Sequence, residues 1–356
     1  MLFRTKNPHG GDIYDGQVEL DFSANTNPFG TPAGVKQAIM EAVSDLHRYP
    51  DPYCRKLISA ISAFEQVPEE SILCGNGAAE LIYAYTSAIT PRTAAELAPT
   101  FSEYALGLER IGCTPSRYVL KKENGFQLTE DFLSWLEAEK PEALFLCNPN
   151  NPTGRLIDPE LMEKILAFTR EKGIHFFVDE CFLDLSHGGV SLKPHLKDNP
   201  QLFILKAFTK SYGMAGVRLG YCLCANPETL SAMAKTTQPW NVSSLAQAAG
   251  AAALKEEEFL RKTRDLIGEQ RVILKKNLES LGFWVSDSST NYLLFRGPQG
   301  LDAALREKHI AIRSCSNYVG LDDTYYRVAV RLPEENQKLT EAIKACLSKE
   351  EGPWQR

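Results

Sequence analysis

Between residues 71 and 224 the chain alternates short apolar runs with amphipathic stretches. SILC (71–74), ALFLC (143–147), IHFFVD (174–179), LFILKAF (202–208) and LGYCLC (219–224) predict buried strands. Helical patterns lie between several of them. In PELMEKILAFTREKG (159–173) the apolar positions are 161, 162, 165, 166 and 168, and Gly173 stands where a helix stop is expected. This alternation predicts a mostly parallel sheet covered by helices, the α/β class.

The ends of the chain have a different texture. Residues 1–31 are rich in Asn, Gly and Pro with little periodicity, and predict an arm. TTQPWNVSS (236–244) reads as a joint. Beyond it Leu260, Ile267, Leu274 and Leu281 recur every seven residues, and three intervals with an Ala-rich start fit a helix linking two lobes better than a coiled coil. FWV, NYLLFR, AIRSC and YYRVAVR then predict short strands, followed by the helical PEENQKLTEAIKACLSK, together a small α+β lobe. The expected division is 1–47, an arm with part of the small domain; 48–244, the large domain; and 245–356, an interdomain helix and the small domain.

Composition agrees with two cores: 356 residues, 44% hydrophobic and 24% charged. The net charge of −6 is spread among interleaved charges, so no basic face offers itself to nucleic acid. No 18 apolar residues run together and the N-terminus has no apolar h-region, which predicts a cytoplasmic protein with no membrane partner. Nine scattered cysteines, with no C-x-x-C, read as buried thiols in a reducing compartment. Cys222 and Cys224 can share a strand face, but no His cluster stands near them, so structural thiols are expected and no metal.

Three of the predicted strands end on a reactive or polar group. LFLCNPNNPTG supplies Asn151, HFFVDE supplies Asp179, and FILKAFTKSYGMAGVRLGY supplies Lys210. Open α/β sheets bind ligands beyond the carboxyl ends of their strands. A lone lysine there is ordinarily a surface charge, but Thr209 is beside it and Arg218 lies eight residues on, among small residues that allow close backbone approach. A phosphate held by Thr209 and Arg218 would bring a cofactor aldehyde within reach of the amine, and a Schiff base at Lys210 is then natural chemistry. Asp179 needs a partner if buried, either a structural one or a pyridinium nitrogen; Asn151 can donate to a phenolic oxygen. The cofactor that matches all three is pyridoxal phosphate. GNGAAELIYAYTSA (75–88) starts a helix on glycine, and the N–H groups of Gly77, Ala78 and Ala79 would extend the phosphate cradle. Phe101 in APTFSEY is placed to stack on the ring, or to pack in the core.

In these residues the chain resembles the fold-type I pyridoxal-phosphate enzymes of the aspartate aminotransferase superfamily, in the histidinol-phosphate aminotransferase branch. Within the branch it is most similar to the L-threonine-O-3-phosphate decarboxylase family, through HGGD (9–12), LDFSANTNPFG (20–30), RYPD (48–51), DECFLD, QPWNVSS and IRSCSNYVGLDDTYYRVAVR (312–331). The resemblance covers essentially the whole chain. It implies that Lys210 carries the cofactor, that Asp179 meets the pyridine nitrogen and Asn151 the phenolic oxygen, and that Gly77, Ala78, Thr209 and Arg218 hold the phosphate under a stacked Phe101. It also implies a homodimer in which Tyr49 reaches the neighbouring subunit's cofactor phosphate, and an Arg327 that binds the substrate carboxylate. Where aminotransferases usually carry a tyrosine that donates to the phenolic oxygen, this chain has Phe182, as the decarboxylases do.

The implied reaction is decarboxylation of L-threonine O-3-phosphate to (R)-1-amino-2-propanol O-2-phosphate, for the cobalamin nucleotide loop, with serine O-phosphate as the nearest other substrate. The alternatives are a histidinol-phosphate aminotransferase and a non-catalytic pyridoxal phosphate sensor, the latter disfavoured because Lys210 and its constellation are intact. Orientation at Cα decides between losing CO2 and losing a proton. Arg327 and Arg331 are an even number apart and so share a strand face, roughly 13 Å apart. With Arg313 they provide guanidinium groups for a carboxylate and a phosphate. His9, Asn25 and Asn27 are the arm residues expected to close over the phosphate.

Overall fold

The computed structural model describes residues 9–348; the expected arm's first eight residues and the tail from 349 lie outside the described residues. Its main sheet has seven strands, in the spatial order Ile72–Gly75, Gly220–Cys224, Leu202–Ala207, His175–Asp179, Ala143–Cys147, Ala94–Ala98 and Ser116–Val119. Only Gly220–Cys224 runs antiparallel to its neighbours. The other pairings are parallel. The five strands predicted from apolar runs are therefore all present, within a residue at each end.

These runs lack alternation because both faces of the sheet are covered. On one face Phe145, Phe177 and Phe203 are register partners across three strands, with ring centroids 4.9 and 5.1 Å apart. The opposite face buries Leu144, Leu146, Phe176, Val178 and Ile204. Cys222 and Cys224 join the phenylalanine-lined core. The helix Pro159–Lys172 starts on Asp158, whose side chain accepts from the N–H groups of Glu160 and Leu161, and stops at Gly173 with φ +67°.

A second, four-stranded antiparallel sheet has the order Arg313–Ser314, Tyr325–Ala329, Tyr292–Arg296, Trp284–Val285. It packs on the helix Pro333–Leu347 around Leu293, Tyr326, Val328 and Leu339. The helix Glu257–Ser280 ties the two cores together, since Leu260 sits in the core of the large sheet while Leu274 and Leu278 sit in that of the small one. The heptad-like leucine spacing therefore reflects burial within one chain. The Ala-rich stretch expected to begin this helix forms a separate one, Ser244–Ala253, packed on Ala33–Ala42. Among the described residues no helix is long and apolar enough to cross a membrane.

The described part of the arm is not a loose strap. Leu20–Asp21 pairs in parallel with Ile310–Ala311, and Phe22 is fully buried. Ser23, Asn25 and Asn27 are buried too. Their polarity hides this from periodicity, because the partners that satisfy them come from distant segments: Asn291 Nδ2 donates to the Asn25 carbonyl, and Asn27 Nδ2 donates to the Ser211 carbonyl and Thr263 Oγ1.

Candidate active site

At the C-terminal ends of the strands, between the two sheets, lies a cavity of about 220 Å3. Lys210 faces it from a one-turn helix, Phe208–Ser211, that follows directly on its strand. Burial is the main reason its amine is shifted down to about 8, and the nearby Arg327 guanidinium adds to the effect. The Phe182 ring centroid lies 5.7 Å from the Lys210 Nζ. Asp179 ends the neighbouring strand, buried at 5% exposure. Its carboxylate accepts from Tyr104 Oη at 2.6 Å and from the Cys181 N–H at 2.8 Å. Desolvation pushes its pKa up from the ordinary range, with those hydrogen bonds opposing. Among the described residues it has no salt bridge, so a cationic partner in the cavity would relieve its burial.

At one end of the cavity a helix start and an arginine meet. The helix Ala78–Ile89 points its N-terminus at the cavity, which Ala78, Ala79, Thr209 and Arg218 line. Gly77, at φ +80°, caps that helix; a Cβ there would come within 2.5 Å of Arg218 Nη2. Gly220 allows the same closeness from the other side, since a Cβ would meet the Ala78 nitrogen at 2.7 Å. Gly77 thus lets the Arg218 guanidinium lie against the helix start, and Gly220 lets its strand's backbone do so.

At the opposite wall stand two more guanidinium groups. Arg313 and Arg327 are register partners in the small sheet, so their side chains leave the same face side by side. Both line the cavity. Arg327 is buried, donates from Nη1 to Asn151 Oδ1 at 2.5 Å and from Nη2 to the Ser23 carbonyl at 2.9 Å, and keeps an Nε with no partner among the described residues. Arg313 donates to Asn317 Oδ1 and lies over the Tyr318 ring, and burial lowers its pKa. Two adjacent, desolvated cations and an unpartnered Nε are the electrostatic signature of an anion site. His9, Asn25 and Phe101 also line it, and Asn25 Oδ1 has no partner among the described residues either.

Not every expected residue arrives. Arg331 does not line the cavity: the strand ends at Ala329, and its guanidinium donates to Glu335 at 2.9 Å and the Asp21 carbonyl at 3.2 Å. Asn27 does not line it because both its amide hydrogens and its oxygen are used in joining segments. Tyr49 is 79% exposed and stacked on Trp240 at 4.6 Å, away from the cavity of its own chain. Sequence reasoning missed Tyr318, which lines the cavity with its hydroxyl 3.5 Å from Arg327 Nη1, and Tyr104 beneath Asp179. Nothing local marks either among thirteen tyrosines; only their tertiary neighbours do.

The donor set fits pyridoxal phosphate: an amine easily made neutral, a buried carboxylate with no salt bridge among the described residues, and a helix start with an arginine against it. Fold and site together define a pyridoxal-phosphate-dependent enzyme class, and the chain belongs to the aminotransferase class I and II family, whose model matches residues 18–343. It is 36% identical, over 96% of both chains, to the threonine-phosphate decarboxylase of Salmonella typhimurium. It is 32% identical, over 94% of its length and 40% of the relative's, to the adenosylcobalamin biosynthesis bifunctional protein CobDQ of Leptospira interrogans. Among solved structures, the histidinol-phosphate aminotransferase of Clostridium acetobutylicum superposes with a TM-score of 0.86 at 28% identity, covering 92% of this chain and 98% of that one.

Proposed function

We propose that this chain is a pyridoxal-phosphate-dependent decarboxylase that converts L-threonine O-3-phosphate to (R)-1-amino-2-propanol O-2-phosphate and CO2. The observation that carries the reading is the cross-strand pair of Arg313 and Arg327 facing Lys210 across one cavity. The similarity to the threonine-phosphate decarboxylase and to the CobDQ protein supports it, and the cobalamin nucleotide loop is the destination of such a product. The bound cofactor supplies the electron sink for the bond broken at Cα. Lys210 would hold it covalently, Asp179 would hold the ring nitrogen, Asn151 its phenolic oxygen, Phe101 its face, and Thr209, Arg218, Gly77 and Ala78 its phosphate.

Arg327, with Asn151 against it, takes the substrate carboxylate, while Arg313 and His9 take the phosphate. Holding both anionic ends restricts rotation at Cα, and that restriction selects the bond to the carboxylate over the bond to hydrogen. Lys210 Nζ, at about 8, is able to accept or return a proton at Cα near neutral pH. Purified protein incubated with phosphothreonine and no 2-oxoacid should release CO2 and aminopropanol phosphate. No release, with acceptor-dependent turnover of histidinol phosphate instead, would make it an aminotransferase. Phosphoserine should react more slowly, since one methyl group in a pocket is worth about 1–3 kcal/mol.

We further propose that the working form is a homodimer in which Tyr49 reaches the second subunit's cofactor phosphate. The segment around it exposes Met40, Leu46, Tyr49 and Tyr53, and Trp240 stacks on Tyr49, an apolar surface that asks for cover. Sedimentation at assay concentration should give a dimer, and Tyr49→Phe should weaken cofactor retention by about 0.5–1.5 kcal/mol or somewhat more. A fully active monomer refutes the shared site.

A further inference from the structure

Glu103 is a buried acid next to the cavity that the reaction described above does not use. It begins the helix Glu103–Glu109 and is 8% exposed. Its Oε1 lies 2.8 Å from His9 Nε2, and its Oε2 accepts from Tyr83 Oη at 2.6 Å. The Arg110 guanidinium covers the Tyr83 ring at 4.8 Å, closing the chain on the outer side. On the inner side the His9 ring lies 5.9 Å from Phe101, and both line the cavity.

The backbone leading to His9 is fixed as well. A Cβ at Gly10 would stand 2.3 Å from the Ser23 carbonyl oxygen, and the Gly11 N–H donates to Ser23 Oγ at 2.8 Å. The Ser23 carbonyl is the acceptor for Arg327 Nη2. The segment bearing His9 is therefore seated against the arginine wall of the cavity, and Glu103 sets its ring.

We infer that Glu103 is a positioning residue for substrate phosphate: as a carboxylate held by Tyr83, it orients the His9 imidazole so that the ring serves as a phosphate donor beside Arg313. An imidazole placed between a carboxylate and a phosphate donates from both nitrogens, one to each anion. The His9 hydrogen bond, opposed by burial and helped by Tyr83, holds the Glu103 carboxyl below its ordinary range, in keeping with a group that works ionised. The inference rests on the decarboxylase reading for its substrate, because without a phosphate ester His9 has nothing to donate to.

The test uses the cofactor-loaded protein, with steady-state kinetics on phosphothreonine and calorimetric binding of phosphothreonine and of inorganic phosphate. Glu103→Gln, of the same shape but uncharged, should raise KM about tenfold and weaken both binding constants alike, with kcat changed less than about threefold and cofactor absorbance retained. Glu103→Asp should recover part of the loss, and Tyr83→Phe should show a smaller loss of the same kind. His9→Ala should match Glu103→Gln, and the double variant should be no worse than either. A wild-type KM in Glu103→Gln overturns the inference. So do additive losses in the double variant, or a fall in kcat together with lost cofactor, which would make Glu103 merely structural. If the wild-type protein binds phosphothreonine without releasing CO2, the decarboxylase reading fails while the binding comparison still decides the role of Glu103. If it binds neither ligand, both fail.

Discussion

Lys210→Ala is expected to reduce turnover by at least about 10^4-fold while leaving a folded protein that retains weak, non-covalent affinity for pyridoxal phosphate through the helix start and Arg218. Folding should survive because the amine is a liability in its place: burial and the two neighbouring arginines all disfavour its charge. The same shift makes a second readout. A lysine at its ordinary 10.5 is almost wholly protonated near neutrality, whereas an amine at about 8 is neutral in about one molecule in ten at pH 7 and in most at pH 9. Cofactor capture by the apoprotein, followed by absorbance, should therefore accelerate through a midpoint near pH 8 and then level. Borohydride should fix the cofactor on the peptide containing Lys210. A label on another lysine, or a capture rate that climbs unabated to pH 10, would refute the assignment.

The second large effect is expected at Arg327. Arg327→Ala should lower kcat/KM for phosphothreonine by on the order of 10^2- to 10^3-fold, because truncating one member of a buried, hydrogen-bonded charge pair costs about 2–5 kcal/mol. The guanidinium also satisfies Asn151 Oδ1 and the Ser23 carbonyl, so some of that loss comes through misplaced neighbours. Arg327→Lys separates the contributions. It keeps the charge but not the planar fork, and should fall between wild type and Ala. Cofactor absorbance should persist in both, since Arg327 reaches the cavity from the small sheet and not from the helix start that carries Arg218. An Ala variant within about threefold of wild type would remove Arg327 from the carboxylate site.

Legibility in the sequence followed the range of the interaction. Strands such as Ala143–Cys147 and His175–Asp179 are apolar runs buried on both faces, so their signal is local and survives in one dimension. The stop at Gly173 and the cap at Asp158 are equally local. Lys210, Asp179 and Asn151 could be read as one candidate set because Asp179 ends such a strand while Lys210 and Asn151 follow within a few residues of two others, and a parallel sheet brings its strand ends to one edge.

The arginine pair shows the opposite case. Strand periodicity predicts Arg327 and Arg331 on one face, but the strand ends at Ala329, short of Arg331, whose guanidinium meets Glu335 instead. The true neighbour of Arg327 is Arg313, through a cross-strand register that no spacing in the chain announces. The polar segment from Ser23 to Asn27 likewise reads as an arm, because its burial is made favourable by Ser211, Thr263 and Asn291, over 180 residues away. Thus the chain alone determined its α/β sheet, its lysine and its acid, since these rest on local apolar pattern and on strand ends. Which cations share a wall, which asparagines face the cavity and which acid stands behind His9 was decided only by tertiary structure, because side-chain pairing across strands and segments depends on register and packing.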